Sequence, residues 1–164
     1  MESQEEILKG ALLLEQRGKA FYENAARSAT HSGVGDLFAR LAEEEDRHIQ
    51  ILSKAFADFV RSGKIRTPSW ESKAVDAVGA VLTEDLKRQV DNAAYEAAAI
   101  YAGIALEEKA AAFYAHQAQR TTGEAKDLYE KLAAWERTHL ELLMALDQDL
   151  RQRIWHDQRF WPMY

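Results

Sequence analysis

This chain is built from two copies of one pattern. Residues 14–22 match residues 106–114 at an offset of 92, and each copy places a Leu-Glu pair seven residues before a Phe-Tyr pair. Residues 36–48 match residues 127–139 at an offset of 91, and each copy ends in Glu-x-x-His. Repeats of this kind mark a duplicated structural unit. The two halves are therefore predicted to form similar hairpins that pack with approximate two-fold symmetry.

Long stretches without proline indicate that both units are helical. The 164 residues include only two prolines, Pro68 and Pro162, and the proline-free segments are rich in Ala, Leu, Glu, Lys and Gln. These residues favour helix. Asp36 is a plausible N-cap for the second helix, and Gly63 a plausible end. Four helices are predicted, over about residues 5–29, 36–62, 84–119 and 124–153.

The lengths of the links between these helices predict the topology. Residues 30–35 and 120–124 are short links that join antiparallel neighbours, whereas residues 63–83 are enough to cross the bundle from end to end. Within the long link, residues 67–69 signal a turn and residues 72–81 could form a short extra helix. The predicted fold class is all-α: a ferritin-like four-helix bundle of two antiparallel hairpins joined by a long crossover.

The end of the chain differs from the bundle in composition. Residues 1–153 are predicted to form one ferritin-like domain, and residues 154–164 an aromatic C-terminal tail. The tail contains Trp155, Phe160, Trp161, Met163 and Tyr164. If exposed, these side chains would form an apolar patch that promotes association. The tail is therefore expected to dock on the bundle or on a neighbouring subunit, and a homodimer or larger homo-oligomer is expected.

Composition removes several classes of function. The chain has no cysteine, which excludes disulfides, zinc–thiolate sites, rubredoxin-type iron sites and thiol catalysis among its own residues. A formal charge of −6 argues against nucleic acid as the main partner. The acidic start resembles no secretory signal, and no apolar run approaches the roughly 20 residues of a membrane span. A soluble cytoplasmic protein is expected.

Helical phase directs six polar side chains into the predicted core. Each lies on an apolar stripe of its helix, and these residues are Glu15, Glu45, His48, Glu107, Glu136 and His139. Burying an unpaired carboxylate costs several kcal/mol, and four together would raise one another's pKa values. Two divalent cations would offset four carboxylates. Bundles with two iron or two manganese ions use this pattern of donors, and zinc is also possible.

A simpler interpretation makes the same glutamates surface residues. Glu45 lies in the acidic run 43–46, and Glu107 precedes Glu108. Phase favours the buried interpretation, because Glu45 comes four residues after Leu41. The repeat supports it further, since two copies of a three-residue pattern in register are hard to obtain by chance.

Two tyrosines have two open interpretations. Tyr22 and Tyr114 lie two helical turns, roughly 10 Å, beyond Glu15 and Glu107. Their hydroxyls either bind a carboxylate of the opposite half and so support a cofactor, or belong to ordinary core residues. The remaining histidines and the four tryptophans are predicted to be surface or packing residues, with Trp135, beside a predicted ligand, the one of most interest.

The sequence resembles the rubrerythrin branch of the ferritin-like superfamily. Residues 11–22, 37–48, 105–114 and 132–139 carry the resemblance, which spans all four helices but not the tail. It implies a carboxylate-bridged di-iron centre that reacts with peroxide or dioxygen. Glu15 and Glu107 would be terminal or switching ligands. Glu45 and Glu136 would bridge the metals, and His48 and His139 would cap them.

The chain departs from full-length rubrerythrins in two ways. They carry a rubredoxin-like domain with cysteine-bound iron, so electrons are expected here from a separate donor. They also place an extra glutamate one turn after the ligand of the third helix, where this chain has Ala110. The six remaining ligands are closer to the ferroxidase centres of bacterioferritins.

Several functional hypotheses follow. The first is a non-haem di-iron oxidoreductase that reduces hydrogen peroxide or dioxygen with oxidation of Fe(II), in protection from oxidative stress. A ferroxidase that handles iron would use the same residues. A metal-stabilised module that binds a partner through the aromatic tail belongs to another class. A manganese catalase-like site is a further possibility.

Overall fold

Four long helices make up most of the described chain. The computed structural model describes residues 3–68, 83–86 and 94–156, and these residues contain no β-strand. The helices are α1 (Gln4–Ser28), α2 (Ser32–Ser62), α3 (Ala94–Arg120) and α4 (Gly123–His156). None of the described helices combines the length and hydropathy that a membrane span needs. The all-α, ferritin-like class is confirmed.

Helices pack mainly as the two predicted hairpins, α1 with α2 and α3 with α4. The hairpins then meet mainly through α1 and α3. The predicted crossover lies mostly outside the described residues, including the possible helix at residues 72–81. The tail beyond His156 also lies outside them, so its docking stays a prediction.

Local signals explain how α1 begins and α2 ends. The Ser3 hydroxyl accepts a hydrogen bond from the Glu6 backbone N–H, and the Glu6 carboxylate accepts one from the Ser3 N–H, so the two form a capping box. Gly63 ends α2, as predicted, with a φ of 69°. This left-handed backbone favours glycine and lets the Gly63 N–H reach the Phe59 carbonyl at 2.7 Å.

The predicted start of α2 was wrong. The helix begins at Ser32, after His31, and Asp36 lies within it rather than at its cap. The four residues before Asp36 include two glycines and favour helix weakly. Val34 is nevertheless fully buried in the core, and packing of this side chain outweighs the local propensity.

The other boundaries differ less. Residues 84–86 are helical, as predicted, but residues 87–93 lie outside the described part, and α3 is continuous from Ala94. The helix α4 begins at Gly123 and continues to His156, three residues past its predicted end. The first residues assigned to the tail are thus helical.

Two apolar clusters fill the two ends of the bundle. One joins the C-terminal half of α1 to the N-terminal half of α2, with Tyr22, Phe38, Ile100 and Leu143 among its members. The other joins the opposite halves of the same helices, with Leu8, Leu52, Tyr114, Tyr129 and Leu132 among its members. The middle of the bundle is left to residues of neither cluster.

Ring geometry confirms the predicted repeat. Tyr22 stacks on Phe38 with centroids 6.1 Å apart and planes at 20°. The equivalent pair, Tyr114 and Tyr129, stacks at 6.3 Å and 19°. Since the two hairpins reproduce one another this closely, a contact seen in one indicates where the equivalent residues of the other lie.

A buried carboxylate also joins the hairpins at one end of the bundle. Glu96, in the first turn of α3, accepts hydrogen bonds from the backbone N–H and the hydroxyl of Thr30, at 2.7 and 2.8 Å. Thr30 lies in the turn between α1 and α2, and His31 Nδ1 lies 3.4 Å from the same oxygen. Burial alone would raise the pKa of Glu96, but the bonds from Thr30 outweigh it and lower this pKa to about 2.

We expect Glu96→Gln to destabilise the fold near neutral pH by about 1–3 kcal/mol, because the hydrogen bonds lose their charged acceptor. The folded-state pKa lies below the ordinary value of 4.5, so the carboxylate stabilises the fold above pH 4.5. That contribution is lost as the pH falls from about 4.5 towards 2. Urea unfolding of both proteins at several pH values measures the difference.

The matched control for this substitution is Glu108→Gln, on the exposed side of α3. This variant should leave the free energy of unfolding within about 0.5 kcal/mol of wild type. A difference between wild type and Glu96→Gln that stays constant from pH 7 to pH 3 would contradict the assigned role of the Glu96 charge.

Candidate metal centre

The six predicted polar side chains meet in the middle of the bundle, between the two apolar clusters. All are buried, with exposed fractions between 0% and 4%: Glu15, Glu45, His48, Glu107, Glu136 and His139. Each helix of a hairpin contributes as the repeat predicts, one Glu from the first helix and Glu-x-x-His from the second. The structure thus brings together the whole predicted set.

The side chains form two overlapping groups. The first group, position A, consists of Glu15, Glu45, His48 and Glu136. One candidate ligand atom from each of these residues lies within 4.8 Å of the others. Position B has the same property and consists of Glu45, Glu107, Glu136 and His139. Glu45 and Glu136 belong to both positions. They are the residues for which the resemblance implies a bridging role, and the assignment of ligands stays a prediction.

Both histidines direct Nδ1 towards the carboxylates. His48 Nδ1 lies 2.9 Å from Glu136 Oε1 and 3.1 Å from Glu15 Oε2. His139 Nδ1 lies 3.7 Å from oxygens of Glu45 and Glu107 and 3.6 Å from Glu136 Oε2. The distances around His139 are too long for hydrogen bonds. A cation shared by these atoms would satisfy them.

Burial raises the pKa values of the two unshared glutamates. Burial, the nearby Glu136 carboxylate and a hydrogen bond with Glu45 raise the pKa of Glu15 well above its usual range. Burial also raises the pKa of Glu107 to about 8, although the nearby His139 imidazole opposes the shift. Burial therefore favours the protonated form of both carboxyl groups when no cation is nearby.

The shared glutamates and the histidines shift in the opposite sense. Burial would raise the pKa of Glu136, but His48 and His139 lower it below its usual range. Burial would also raise the pKa of Glu45, but the neighbouring Glu15, His139 and His48 lower it. Burial would lower the pKa values of both histidines, yet the surrounding carboxylates raise them well above the usual range.

This donor set fits a pair of divalent cations. The raised pKa values of Glu15, Glu107 and the two imidazoles show that the buried carboxylates favour nearby positive charge, which bound cations would supply. Both ring nitrogens of His139 are buried and make no hydrogen bond with any described residue. Buried donors and acceptors without partners are rare in native proteins unless an ion or water completes them. The buried cluster of these six polar side chains is therefore compatible with a di-iron site.

The two tyrosines cross between the hairpins. The Tyr22 hydroxyl donates a hydrogen bond to Glu107, and the Tyr114 hydroxyl donates one to Glu15. Of the two interpretations that the sequence left open, the structure shows the bond to a carboxylate of the opposite half. Each bond fixes the orientation of one unshared glutamate.

Two glycines make room for these side chains, and sequence reasoning gave neither a role. A Cβ on Gly18 would lie 3.2 Å from Glu45 Oε2, so α1 approaches the shared carboxylate closely. A Cβ on Gly103 would lie 3.0 Å from Leu143 Cδ1 and 3.3 Å from Tyr22 Oη. In the sequence, this role was indicated only by a glycine on an otherwise apolar stripe of a helix that carries a predicted ligand.

Trp135 packs against the cluster, in agreement with its prediction as a packing residue. Its ring lies 4.5 Å from that of His48, with an interplanar angle of 82°. His48 and His139 are themselves 5.7 Å apart and nearly parallel. The side chains of Trp70, Trp155 and Trp161 lie outside the described part of the chain.

We expect Gly18→Ala to weaken metal binding, because its Cβ would press on Glu45, which is held between His48 and His139. Alanine in a helix interior normally stabilises by about 0.5–1 kcal/mol relative to glycine. At Gly18, overpacking that typically costs about 1–3 kcal/mol opposes this gain. Urea unfolding of the metal-free protein and titration with Zn(II) measure the two effects.

Gly10→Ala is the matched control, since a Cβ at Gly10 on the same helix meets nothing within 4 Å. This variant should gain the helical stabilisation and bind metal as wild type does. If Gly18→Ala proves as stabilising as Gly10→Ala and leaves metal affinity unchanged, the close approach has no functional consequence.

Comparison with known proteins agrees with this geometry. The family model described as Rubrerythrin matches residues 6–147, a range that contains all six cluster residues. Among solved structures, a hypothetical protein from Pyrococcus furiosus is 26% identical, with a TM-score of 0.62. That likeness covers 99% of this chain and 94% of the other. No curated protein sequence matches the chain. The fold, the buried cluster and the family match together show that this chain belongs to the rubrerythrin family.

Proposed function

We propose that this chain is a non-haem di-iron oxidoreductase of rubrerythrin type, which reduces hydrogen peroxide, or dioxygen, as Fe(II) is oxidised. The observation that carries the proposal is the pair of overlapping positions that share Glu45 and Glu136. Carboxylates shared in this way would hold two cations close together. Two Fe(II) ions held there would supply the two electrons that reduce hydrogen peroxide to water, with two protons taken up from solvent.

The donors suit iron or manganese better than zinc. Carboxylate oxygen and imidazole nitrogen suit Fe(II) and Mn(II), and two Fe ions are the proposed cofactor. Zinc usually takes four ligands in a closed tetrahedral site and undergoes no redox change. Zn would therefore bind to the same residues without supporting the proposed reaction, whereas Mn is an alternative cofactor that these donors do not distinguish from Fe.

The residues around the cluster would hold and shield it. The Tyr22 and Tyr114 hydroxyls orient Glu107 and Glu15, and each keeps a proton on Oη directed at a carboxylate oxygen. The two apolar clusters close the bundle on both sides of the site. A buried, water-poor site strengthens the electrostatic hold of carboxylates on cations.

The electrons that restore Fe(II) would come from a separate donor. The chain contains no cysteine, so its own residues cannot form a rubredoxin-type iron site. A cytoplasmic location and a homodimer or larger homo-oligomer complete the proposal, with the aromatic tail as a candidate contact between subunits.

A ferroxidase is the second candidate, and one observation favours it. Ala110 stands where the resemblance leads one to expect a further glutamate, and it is a buried methyl group, 7% exposed. The centre thus has six protein ligands rather than seven. A ferroxidase would oxidise Fe(II) with dioxygen and release it for storage, using the same ligands.

The proposal predicts two tightly bound Fe(II) ions per chain when the metal-free protein is loaded without oxygen. Hydrogen peroxide is then added to one sample and air to another, and oxidation is followed by absorbance. Oxidation much faster with peroxide than with air is the expected result for a peroxidase. Faster oxidation with dioxygen would favour the ferroxidase.

Glu45→Ala and His139→Ala should abolish tight iron binding, because one removes a shared carboxylate and the other the only imidazole of position B. Glu43→Ala removes a charge from an exposed neighbouring position and should bind iron as wild type does. Wild-type stoichiometry in either of the first two variants would refute the ligand assignment.

A further inference from the structure

The two halves of the repeat carry different residues at a position next to the predicted ligands. At the offset of 91 that relates Glu45 to Glu136 and His48 to His139, Trp135 of the second hairpin corresponds to Glu44 of the first. Both side chains are buried, at 7% and 8% exposure. The ligand sets of the two halves are thus identical, but one is flanked by an indole and the other by a carboxylate.

One of the two oxygens of the Glu44 carboxylate has a hydrogen-bond partner. Oε1 accepts a hydrogen bond from Arg47 at 2.7 Å, and the Arg47 side chain is 53% exposed. Oε2 is buried and accepts no hydrogen bond from any residue in the described part of the chain. A buried carboxylate oxygen without a donor is costly, so a function for Oε2 is expected.

His139 has a buried ring nitrogen that lacks a hydrogen-bond acceptor. Its Nδ1 faces the carboxylates of position B, so Nδ1 is the nitrogen that would bind a metal. A neutral imidazole that binds through Nδ1 carries its proton on Nε2. Nε2 is buried and has no hydrogen-bond partner among the described residues. Histidines that bind metals usually donate this second N–H to a carboxylate or a carbonyl.

Symmetry places Glu44 on the side of His139. Trp135 of the second hairpin contacts His48 of the first, with ring centroids 4.5 Å apart. The equivalent neighbour of Glu44 is therefore His139, since the hairpins reproduce one another in their tyrosine bonds and aromatic stacks. The indole nitrogen of Trp135 can only donate, so it offers His48 no comparable acceptor.

We propose that Glu44 is a positioning residue whose free oxygen accepts the Nε2–H of His139 when position B holds a metal ion. This inference rests on the proposed metal centre and adds to it that the two metal positions differ. An acceptor carboxylate fixes the ring and raises the basicity of the ligand nitrogen. Position B therefore binds its ion more tightly than position A and fills first.

Titration of the metal-free protein with Zn(II) tests this order. Two binding steps of unequal affinity are expected for wild type. Glu44→Leu should weaken the tighter step by about 10–100-fold, the usual effect of losing a group that orients a metal ligand. Glu43→Leu, which removes the same charge from the adjacent exposed position, should leave both steps unchanged.

A spectroscopic readout separates hydrogen bonding from a general loss of charge. In Zn(II)-loaded protein labelled with ¹⁵N at histidine, the Nε2–H of His139 should exchange slowly with solvent and resonate at low field. The ring of His48 is identified by its nuclear Overhauser contacts to Trp135. In Glu44→Leu only the His139 signal should move and exchange faster, and Glu44→Asp should restore part of the protection.

The outcomes are distinguishable. If the wild-type protein binds no metal, the proposed centre itself fails, and this inference with it. If two ions bind but Glu44→Leu changes neither the tighter step nor the His139 signal, Glu44 has no role at position B and the metal centre stands. Should Glu44→Leu fold poorly, the wild-type exchange rate of the His139 Nε2–H decides, because rapid exchange in the loaded protein would exclude a buried acceptor.

Discussion

Four buried carboxylates in the middle of a helical bundle are the constraint on which the rest of this structure depends. A domain of this size is stable by only about 5–15 kcal/mol, and a single uncompensated buried charge can consume much of that. The cluster therefore needs positive charge within reach, whether as protons or as cations. The imidazoles and the two unshared glutamates provide one answer, and bound metal would provide the other.

The groups that satisfy this constraint also assemble the fold. Within each hairpin the helices are held by apolar packing, but across the hairpins the closest polar links run from Tyr22 to Glu107 and from Tyr114 to Glu15. His48 Nδ1 also lies 2.9 Å from Glu136 Oε1 of the other hairpin, and Glu96 adds a link at one end, through Thr30. Since each tyrosine bond ends on a cluster residue, the geometry of the site and the docking of the hairpins are set by the same contacts.

Helical phase and the repeat were enough to predict the fold class and the six cluster residues, because a buried polar position must share a stripe with apolar ones. Phase could not separate Glu44 from its exposed neighbour Glu43, since a helix packed against two others buries more than one stripe. The start of α2 was missed for a related reason: the burial of Val34 is a tertiary effect that the glycines around it conceal. The link from Thr30 to Glu96 joins residues 66 apart, and no local pattern announces it.

The pairing of Glu44 with Trp135 shows where the two copies have separated. Every residue proposed to touch a metal is the same in both halves, and so are the tyrosines that hold the unshared glutamates. One difference between the halves lies one residue before each Glu-x-x-His, at the place where a neighbour can act on Nε2 of the opposite histidine. A change there leaves the ligand set intact and alters how strongly the nitrogen of one histidine ligand would donate electrons to its metal ion. Two positions with identical ligands can in this way acquire different affinities, and a centre that must be loaded twice gains a defined order of loading.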